Sequence, residues 1–445
     1  MPVGGGTFTV QNKILPGAYY KFRAAGNVVS TGARGIAALP LELPWGPESQ
    51  IYALSAGDFN QLALKDLGYD PTASELLLVR EALKRAKTLL IYRVNSGGTK
   101  AAVTVGGLTV TARYGGTRGN DLKAALLANA DSTANVDVVT YLDGTEMDRQ
   151  TVAKSGGAAS LKANDYVTFG STATLTAAAA ASLTGGTNGT VNGTAYAAWL
   201  TALEVESFNV VGYPGTDAST KALVTAFVQR LREDEGKLIT GVLYQYTTAD
   251  SVGIISVKNG VKLADGATLT GDQAVAWVTG ASAAAEIKES LTNTAYDGAV
   301  DVDTKYTKSQ FEAAIKAGEF VFYAENGTAR VLSDINSRTT FGGGITEDWT
   351  SNRVIRVLDG WASDTARIFG QQYLGRETNS DTGRSLFKAD LVSLGKQYEA
   401  IDAISGFLPD DVAVQQGSGK RDVTALCALQ PNDSMEKLYM SVTVN

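Results

Sequence analysis

The sequence predicts a multidomain α/β protein that carries an inserted β-rich domain. Its 445 residues exceed what one hydrophobic core usually serves, so we expect two or three domains. Hydrophobic residues make up 44% and charged residues 19%, which is typical of a globular protein and not of a disordered one. Within residues 196–246, the strand FNVVGYP, the helix STKALVTAFVQRLREDEG and the strand LITGVLYQY follow one another. This βαβ order predicts a parallel sheet with a right-handed crossover.

The first half of the α/β pattern lies at residues 35–94. GIAALPLEL and LLIYRV are typical of strands, and GDFNQLALKDLG and SELLLVREALKRAK between them have helical spacing. Because the pattern resumes only after residue 195, the stretch between its halves is predicted to be an insertion. Of the 44 residues from Thr151 to Thr194, 26 are Ala, Thr or Gly, and GLTVTARY and DVVTYLDGT predict β structure in the insertion.

The second half of the chain mixes hairpins and helices. IISVKNGVKL and FVFYAENGTARVL each place Asn-Gly between apolar runs, which predicts two β-hairpins. Thr307 and Gln310 predict a capping box that opens the helix KSQFEAAIKAG. Two long helices follow between residues 349 and 404, and DDVAVQQ and RDVTALCAL predict strands. The final segment EKLYMSVTVN alternates apolar and polar side chains and predicts a last strand.

These elements divide the chain into five predicted parts. They are an N-terminal arm (1–25), a discontinuous α/β core (26–96 and 196–345), an inserted β-rich surface domain (97–195), an α+β C-terminal domain (346–433) and a C-terminal strand arm (434–445).

Composition argues against several classes of function. The chain has a formal net charge of -7 and no histidine, so neither a basic nucleic-acid surface nor a Ser-His-Asp or Cys-His arrangement is expected. Cys427 is the only cysteine, and its VTALCAL setting predicts a small buried hydrophobe. The start MPVGGGTFTV resembles no signal peptide, and no run of 18 apolar residues follows. We expect a cytoplasmic product that binds no nucleic acid and does not insert into membranes.

The glycine-rich and acidic motifs favour no specific chemistry. GGTRGN lacks the strand-to-helix context of a phosphate loop, and QQGSGKRD departs from a Walker A loop at Val414 and Arg421 and predicts a hairpin turn. DVDTKY lacks the Asp or Asn and the Gly of a calcium loop. A glycosidase-like carboxylate pair stays open as an alternative, although solvated turns explain the acidic clusters more simply. The sequence therefore predicts no cofactor and no metal.

Nine segments, taken in order, resemble the tail sheath proteins of contractile phages. They are PGAYYKFRA, LPLELPWGP, LVREALKRAKTLLIYRV, ARYGGTRGND, LTGGTNG, FVQRLREDEGK, SNRVIRVLDG, YLGRETN and DSMEKLYMSVTV. Their order and spacing are more specific than any one of them. The resemblance implies an outward-facing inserted domain, a C-terminal domain that faces an inner tube, and chain ends that reach into neighbouring subunits.

The function that this resemblance implies is structural and not enzymatic. The chain is expected to polymerise head-to-tail into a helical sheath and to contract, driving the tube through a target cell envelope. The implied partners are further copies of the chain, the inner tail tube protein, and baseplate and tail terminator proteins. The implied location of the protein is the virion tail sheath of a phage or a bacteriocin-like particle. The particle would be assembled in the bacterial host cytoplasm.

Specific residues follow from this interpretation. The arms, which would complete a neighbour's sheet, contain Phe8, Val10, Tyr19, Tyr20, Leu438, Tyr439, Met440, Val442 and Val444. A receiving hairpin would contain Val412, Val414, Val423 and Leu426, and a tube contact would use the cations Arg384, Lys388 and Lys396. Two alternatives stay open: an α/β hydrolase-type enzyme that uses carboxylates or a Ser-Lys pair, and an adhesion module on a virion.

Overall fold

The computed structural model describes residues 4–7, 17–20, 34–170 and 174–444. Contacts within the chain separate a larger unit, residues 34–359 and 433–445, from a smaller unit, residues 1–33 and 360–432. At the start of the chain, strand β1 (Gly4–Thr7) pairs in parallel with strand β2 (Gly17–Tyr20). The predicted borders of the five parts stay predictions.

The larger unit begins with two strands, two helices and a third strand. These are β3 (Ile36–Leu41), β4 (Ile51–Ser55), α1 (Phe59–Leu67), α2 (Leu77–Leu83) and β5 (Thr88–Arg93). Helix α1 ends where the sequence predicts, because Gly68 takes the left-handed conformation, with a φ of 78°, that an L-residue with a side chain adopts only at a cost.

The inserted region after β5 consists of seven strands in two antiparallel sheets. The strands are β6 (Ala102–Val105), β7 (Leu108–Ala112), β8 (Leu122–Ala128), β9 (Asn135–Leu142), β10 (Thr145–Ala153), β11 (Val167–Gly170) and β12 (Ala178–Ser182). The sheet orders are β10-β9-β8-β12 and β11-β7-β6. Alternate side chains of both sheets, such as Val110 and Val138, share one buried core, so the insertion is β-rich as predicted.

The insertion is packed onto the α/β part, so it is more than a tethered module. Trp45, from the loop after β3, is 1% exposed and belongs to the insertion's core, where its ring meets Tyr114 edge-on at 5.3 Å. Arg118 of the GGTRGN motif donates to the Gly68 carbonyl at 2.8 Å and lies over the Tyr69 ring at 4.3 Å. The motif therefore joins two domains.

Glu48 forms a second contact between the α/β part and the insertion. The Glu48 carboxylate accepts a hydrogen bond from the Gly115 amide at 2.6 Å and faces the buried guanidinium of Arg93 at 3.5 Å. Burial lowers the pKa of Arg93, and Glu48 opposes that shift. The carboxylate thus links the end of β5 to the glycine motif of the insertion.

The α/β pattern resumes after the insertion. Its elements are α3 (Gly193–Leu203), β13 (Val210–Tyr213), α4 (Ala218–Glu233), β14 (Thr240–Tyr244), β15 (Ile254–Val257), β16 (Val261–Leu263), β17 (Thr268–Leu269), α5 (Gly271–Ala284), β18 (Ala299–Val302), α6 (Lys308–Lys316), β19 (Glu319–Phe320), β20 (Phe322–Glu325) and β21 (Thr328–Val331). The predicted capping box at Thr307 and Gln310 is present and begins α6.

A seven-stranded sheet in the order β19-β15-β14-β13-β3-β5-β4 organises the larger unit. All neighbours are parallel except β4 and β5, and β13-α4-β14 is the predicted βαβ unit. Side chains of one face, such as Leu39, pack with α1, α2 and α5, whereas those of the other face, such as Ala38, pack with α3 and α4. The sheet is thus covered on both sides, as parallel sheets generally are.

In the smaller unit, the described residues from 360 to 432 are helical with one hairpin. Helix α7 (Asn352–Ile368) begins in the larger unit and runs into this one, and it is followed by a π-helical turn (Phe369–Tyr373), α8 (Asp381–Ala400), β22 (Val412–Gln416) and β23 (Val423–Cys427). Trp361, Tyr398 and Phe407 form its aromatic centre. The Tyr398 hydroxyl donates to the buried Asp364 carboxylate at 2.8 Å, which satisfies both polar groups.

The two Asn-Gly pairs have different structural roles. Asn326 and Gly327 both have positive φ, 52° and 74°, and turn β20 into β21 as predicted. The prediction of a hairpin at Asn259-Gly260 is wrong, because β15 and β16 belong to different sheets. The Asn259 side chain, 2% exposed, instead bonds both backbone groups of Phe322, accepting from N at 2.9 Å and donating to O at 3.1 Å.

These roles predict unequal effects of substitution. Asn259→Ala leaves two buried backbone groups of Phe322 without partners, and we expect a loss of about 2–4 kcal/mol of unfolding free energy. Asn326→Ala removes only the tolerance of asparagine for the left-handed region, which costs at most about 1–2 kcal/mol. Chemical denaturation of the two variants, followed by tryptophan fluorescence, checks the difference. Equal losses would contradict the assigned role of Asn259.

Candidate subunit interface

The hairpin of β22 and β23 has strand edges that no other described strand pairs with. Val414 faces Ala425 in the register, and hydrogen bonds join Gly417 N to the Asp422 carbonyl at 2.8 Å and Ala428 N to the Asp411 carbonyl at 2.9 Å. Hydrogen-bonded pairs alternate along an antiparallel ladder, so these two bonds fix its phase. The peptide groups of Val423, Ala425 and Cys427 therefore point away from β22, toward the open edge.

The two faces of the hairpin differ in burial. Val412, Val414 and Val423 lie on one face, where Val412 is buried and the other two are half-buried. Leu426 lies on the opposite face and is 72% exposed. The four residues predicted as a receiving hairpin are therefore on one hairpin, but they do not share one surface.

An open apolar groove runs beside the free edge of β23. Its volume is about 470 Å³. The groove is lined by Trp361, Ala362, Thr365, Ala366, Phe369, Phe387, Val423, Ala425 and Cys427. Because the side chains of Val423, Ala425 and Cys427 form one wall, a strand added at this edge would direct alternate side chains into the groove.

A second cavity of about 370 Å³ continues the groove toward the hairpin turn and shares three lining residues with it: Phe369, Phe387 and Val423. The cations Lys420 and Arg421 line this end. The turn is held by Asn379, whose amide donates to the carbonyls of Lys420 and Asp422 at 3.1 and 2.9 Å. The turn itself is the hairpin turn that the sequence predicts for QQGSGKRD.

The C-terminal segment has the complementary character. Its residues 435–444 form no strand, and the apolar residues Leu438, Tyr439, Met440, Val442 and Val444 are between 73% and 89% exposed. The described part of the chain thus contains both an apolar segment of strand-like alternation and an unpaired edge with an apolar groove.

The other predicted contact residues have mixed outcomes. Phe8 and Val10 lie outside the described residues, and Tyr19 and Tyr20 belong to strand β2. Lys388 and Lys396 lie on α8 without a carboxylate within ion-pair distance among the described residues. Arg384, by contrast, is occupied locally, because it donates to Asn379 Oδ1 at 2.8 Å and pairs with Asp381.

Cys427 is only half-buried, so the sequence-based expectation of a buried cysteine is wrong. It ends the short edge strand β23, where one flank faces the open groove. Burial of the remaining surface raises the pKa of its thiol. The thiol is therefore protonated near neutral pH and contributes as an apolar wall of the groove.

An open parallel sheet offers one general place for a ligand, the crevice at the carboxyl ends of its strands where the strand order reverses. Here this place lies between β3 and β13, and a pocket of about 170 Å³ remains there. Tyr196 and Tyr213 meet edge-to-face in it at 5.2 Å, and burial raises the pKa of Tyr196. The described residues that line the pocket include no serine, cysteine or lysine.

No group of three or more potential metal-ligating side chains occurs among the described residues. None of the helices in the described ranges is long and apolar enough to cross a bilayer.

Sequence reasoning missed the helical wall of the groove. Ala362 and Ala366 stand four residues apart on α7, so they share a face, and their small side chains keep the groove open beside Trp361 and Phe369. A signal was present, since small residues follow an aromatic residue on the apolar face of a helix. It could not be interpreted before the hairpin was placed opposite that face.

Comparison with known proteins gives a consistent family. Four family models match successive parts of the chain: the N-terminal region of domain III of tail sheath protein Gp18 (residues 34–94), the phage tail sheath β-sandwich domain (96–188), the phage tail sheath central domain (189–337) and the phage tail sheath C-terminal domain (345–445). The phage-like element PBSX protein XkdK of Bacillus subtilis is 35% identical over 100% of both chains.

Solved structures agree with this result. The sheath tail protein of Desulfitobacterium hafniense is 46% identical, with a TM-score of 0.87 over 95% of this chain and 99% of that one. The contracted helical sheath of the anti-feeding prophage shares the fold, with a TM-score of 0.56 at 14% identity over 97% of this chain and 99% of that one. The chain therefore belongs to the family of contractile phage tail sheath proteins.

Proposed function

We propose that this protein is the subunit of a contractile sheath, which polymerises head-to-tail around an inner tail tube and links its copies by donated strands. One observation carries the proposal: within the described residues, an apolar, alternating C-terminal segment has no partner, and the hairpin edge and the groove are also open. The occupant of the groove is the C-terminal segment of a second copy, with Leu438, Met440, Val442 and Val444 directed inward. The N-terminal arm, including Phe8, Val10, Tyr19 and Tyr20, is proposed to reach a neighbour similarly.

Strand donation of this kind leads to a polymer. The surface that gives a strand differs from the surface that receives one, so the contact is heterologous, and a heterologous contact whose rotation does not close generates an open helix. Each donated strand adds hydrogen bonds of about 0.5–1.5 kcal/mol net apiece, and each buried apolar side chain adds about 1.5–3 kcal/mol. Part of this gain offsets the entropy of ordering the arm.

Contraction is then a rearrangement of a joined lattice. In the proposal, the extended sheath is held in a metastable state by the inner tube and the baseplate, and subunits rotate as rigid bodies while the donated strands stay paired. The energy is stored during assembly in the host cytoplasm, with the baseplate at one end and a terminator protein at the other. The released energy drives the tube through the target cell envelope without catalysis.

The proposed tube contact uses the unpaired cations of α8. Lys388 and Lys396 are free to meet acidic groups of a tube protein, whereas Arg384 holds the loop before α8. Surface charges of this type determine partner choice and association rate more than affinity.

Deletion of the C-terminal arm should prevent polymerisation without unfolding the subunit. Deletion of residues 435–445 removes an exposed segment that contributes no strand to its own chain, so the secondary structure and the cooperative melting of the protein should persist. The truncated protein should sediment as a monomer under conditions in which the full chain polymerises. Circular dichroism and sedimentation velocity check both points, and large polymers of the truncated protein would refute strand donation by this arm.

The receiving edge can be tested without touching the arm. Ala425→Pro removes an outward-pointing N–H and should leave the hairpin's own ladder intact, since proline is tolerated at strand edges. Ala366→Trp should fill the groove, and Ala389→Trp adds the same bulk to the exposed face of α8 as a control. We expect the first two variants to stay folded monomers and the control to polymerise. Polymers of the first two would show that the strand docks elsewhere.

The tube contact predicts a separable defect. The double variant Lys388→Glu, Lys396→Glu reverses the charge of one half-buried and one exposed lysine, so polymers of the sheath protein alone should form normally while co-assembly with purified tube is lost. Arg384→Gln serves as the comparison and should affect the stability of the smaller unit more than tube binding. Co-sedimentation with tubes at two salt concentrations measures the effect. Undiminished binding of the double variant would exclude this face of α8 from the contact.

A further inference from the structure

The C-terminal arm leaves its subunit from a defined anchor. Up to Asn432 the chain is held on the smaller unit, where the Asn432 amide donates to the Ala403 carbonyl at 2.9 Å. From Asp433 onward it belongs to the larger unit, where the Asp433 carboxylate accepts from the Ser351 hydroxyl at 3.0 Å. The Glu436 carboxylate accepts from the hydroxyls of Thr292 at 2.6 Å and Ser333 at 3.3 Å.

The Thr292 hydroxyl is itself fixed by a buried network. Thr292 Oγ1 accepts a hydrogen bond from the Asp334 amide at 2.9 Å, so its proton is available to Glu436. The Asp334 carboxylate, in a residue that is 3% exposed, accepts from the Leu291 amide at 3.0 Å and from Asn352 Nδ2 at 2.8 Å and faces the Arg356 guanidinium at 3.4 Å. The anchor therefore rests on a satisfied buried cluster and not on mobile surface groups.

Directly after the anchor, the C-terminal segment changes from held by side-chain hydrogen bonds to exposed. Lys437 and the residues that follow it to Val444 are exposed, and within the described residues none of them forms a side-chain hydrogen bond or an ion pair. The boundary between the held and the free parts of the segment thus lies directly after Glu436.

We infer that Asp433 and Glu436 are positioning residues, which fix the point at which the donated strand departs from the larger unit. This inference rests on the proposed function and adds the route by which force passes from a donated strand to the body of its own subunit. Tension on a donated strand reaches the larger unit through the two carboxylates, and the hairpin of the same subunit is bypassed. The link then joins the larger unit of the donor to the smaller unit of the second copy.

Loss of the anchor has two calculable effects. Four more residues become part of the tether, which at about 3.3 Å per extended residue adds about 13 Å of reach. The tether between the last held residue and the first inward-facing residue of the strand, Leu438, grows from about one residue to about five, so the effective concentration of the strand near its acceptor falls. Polymers should therefore still form, but the spacing between neighbouring copies should no longer be uniform.

The test compares polymers of Asp433→Ala, Glu436→Ala with those of the full wild-type chain. The monomeric double variant should melt as the wild type does, should polymerise at a higher critical concentration than the wild type, and should yield filaments without a single helical repeat in cryo-electron micrographs. Ser333→Ala, Ser351→Ala removes hydrogen-bond donors from the other side and should give the same loss of order. Lys437→Ala, next to the anchor, should behave as wild type.

The outcomes separate this inference from the proposed function. Filaments of the double variant that share the wild-type repeat would overturn the anchor while leaving strand donation intact. Polymers formed by the protein that lacks residues 435–445 would overturn strand donation itself. The single variant Glu436→Gln keeps an acceptor oxygen and an intact Asp433. If its filaments share the wild-type helical repeat, the role of Glu436 is positional and does not depend on charge.

Discussion

An unpaired strand edge is the constraint on which the rest of this structure depends. Backbone N–H and C=O groups are strong hydrogen-bonding groups, and a sheet edge that exposes them is a template for another strand. Most sheet proteins blunt such edges with bulges, prolines or charges. Among the described residues, the outer edge of β23 is unpaired beside an apolar groove, and under the proposed strand donation a second chain would complete it. The smaller unit carries this edge. The contacts of Asp433 and Glu436 fix the start of the arm that is proposed to fill such an edge.

Unlike the edge of β23, the faces of the parallel sheet are covered by other parts of the same chain. The parallel sheet is covered by helices on both faces, and the crevice in which α/β proteins commonly hold a ligand keeps a pocket of about 170 Å³ that Glu42, Glu75, Tyr196 and Tyr213 help to line. The aromatic pair joins helix α3 to the end of β13. The same fold class hosts many enzymes, and a sheet buried on both faces would suit the proposed part that transmits motion.

Elements with strong local signals could be predicted from the sequence, and elements decided by tertiary contacts could not. The helix stop at Gly68 and the capping box at Thr307 are local, and both are present as predicted. Asn259-Gly260 carries the same letters as a hairpin turn, but its amide is used to satisfy Phe322, more than 60 residues away. The groove and the anchor at Glu436 each combine segments distant in sequence, so no single window of residues contained them.

The joint between the insertion and the sheet has a consequence for chimeric sheaths. Trp45, Glu48 and Gly68 form a socket that lies outside the insertion, while Tyr114, Gly115 and Arg118 are the matching parts within it. A transplant of residues 97–195 alone would bring a foreign surface against an indole and a buried guanidinium shaped for another partner. If the insertion lies on the outer surface, as proposed for this family, its exchange between sheaths would require exchange of the residues around Trp45, Glu48 and Gly68 as well.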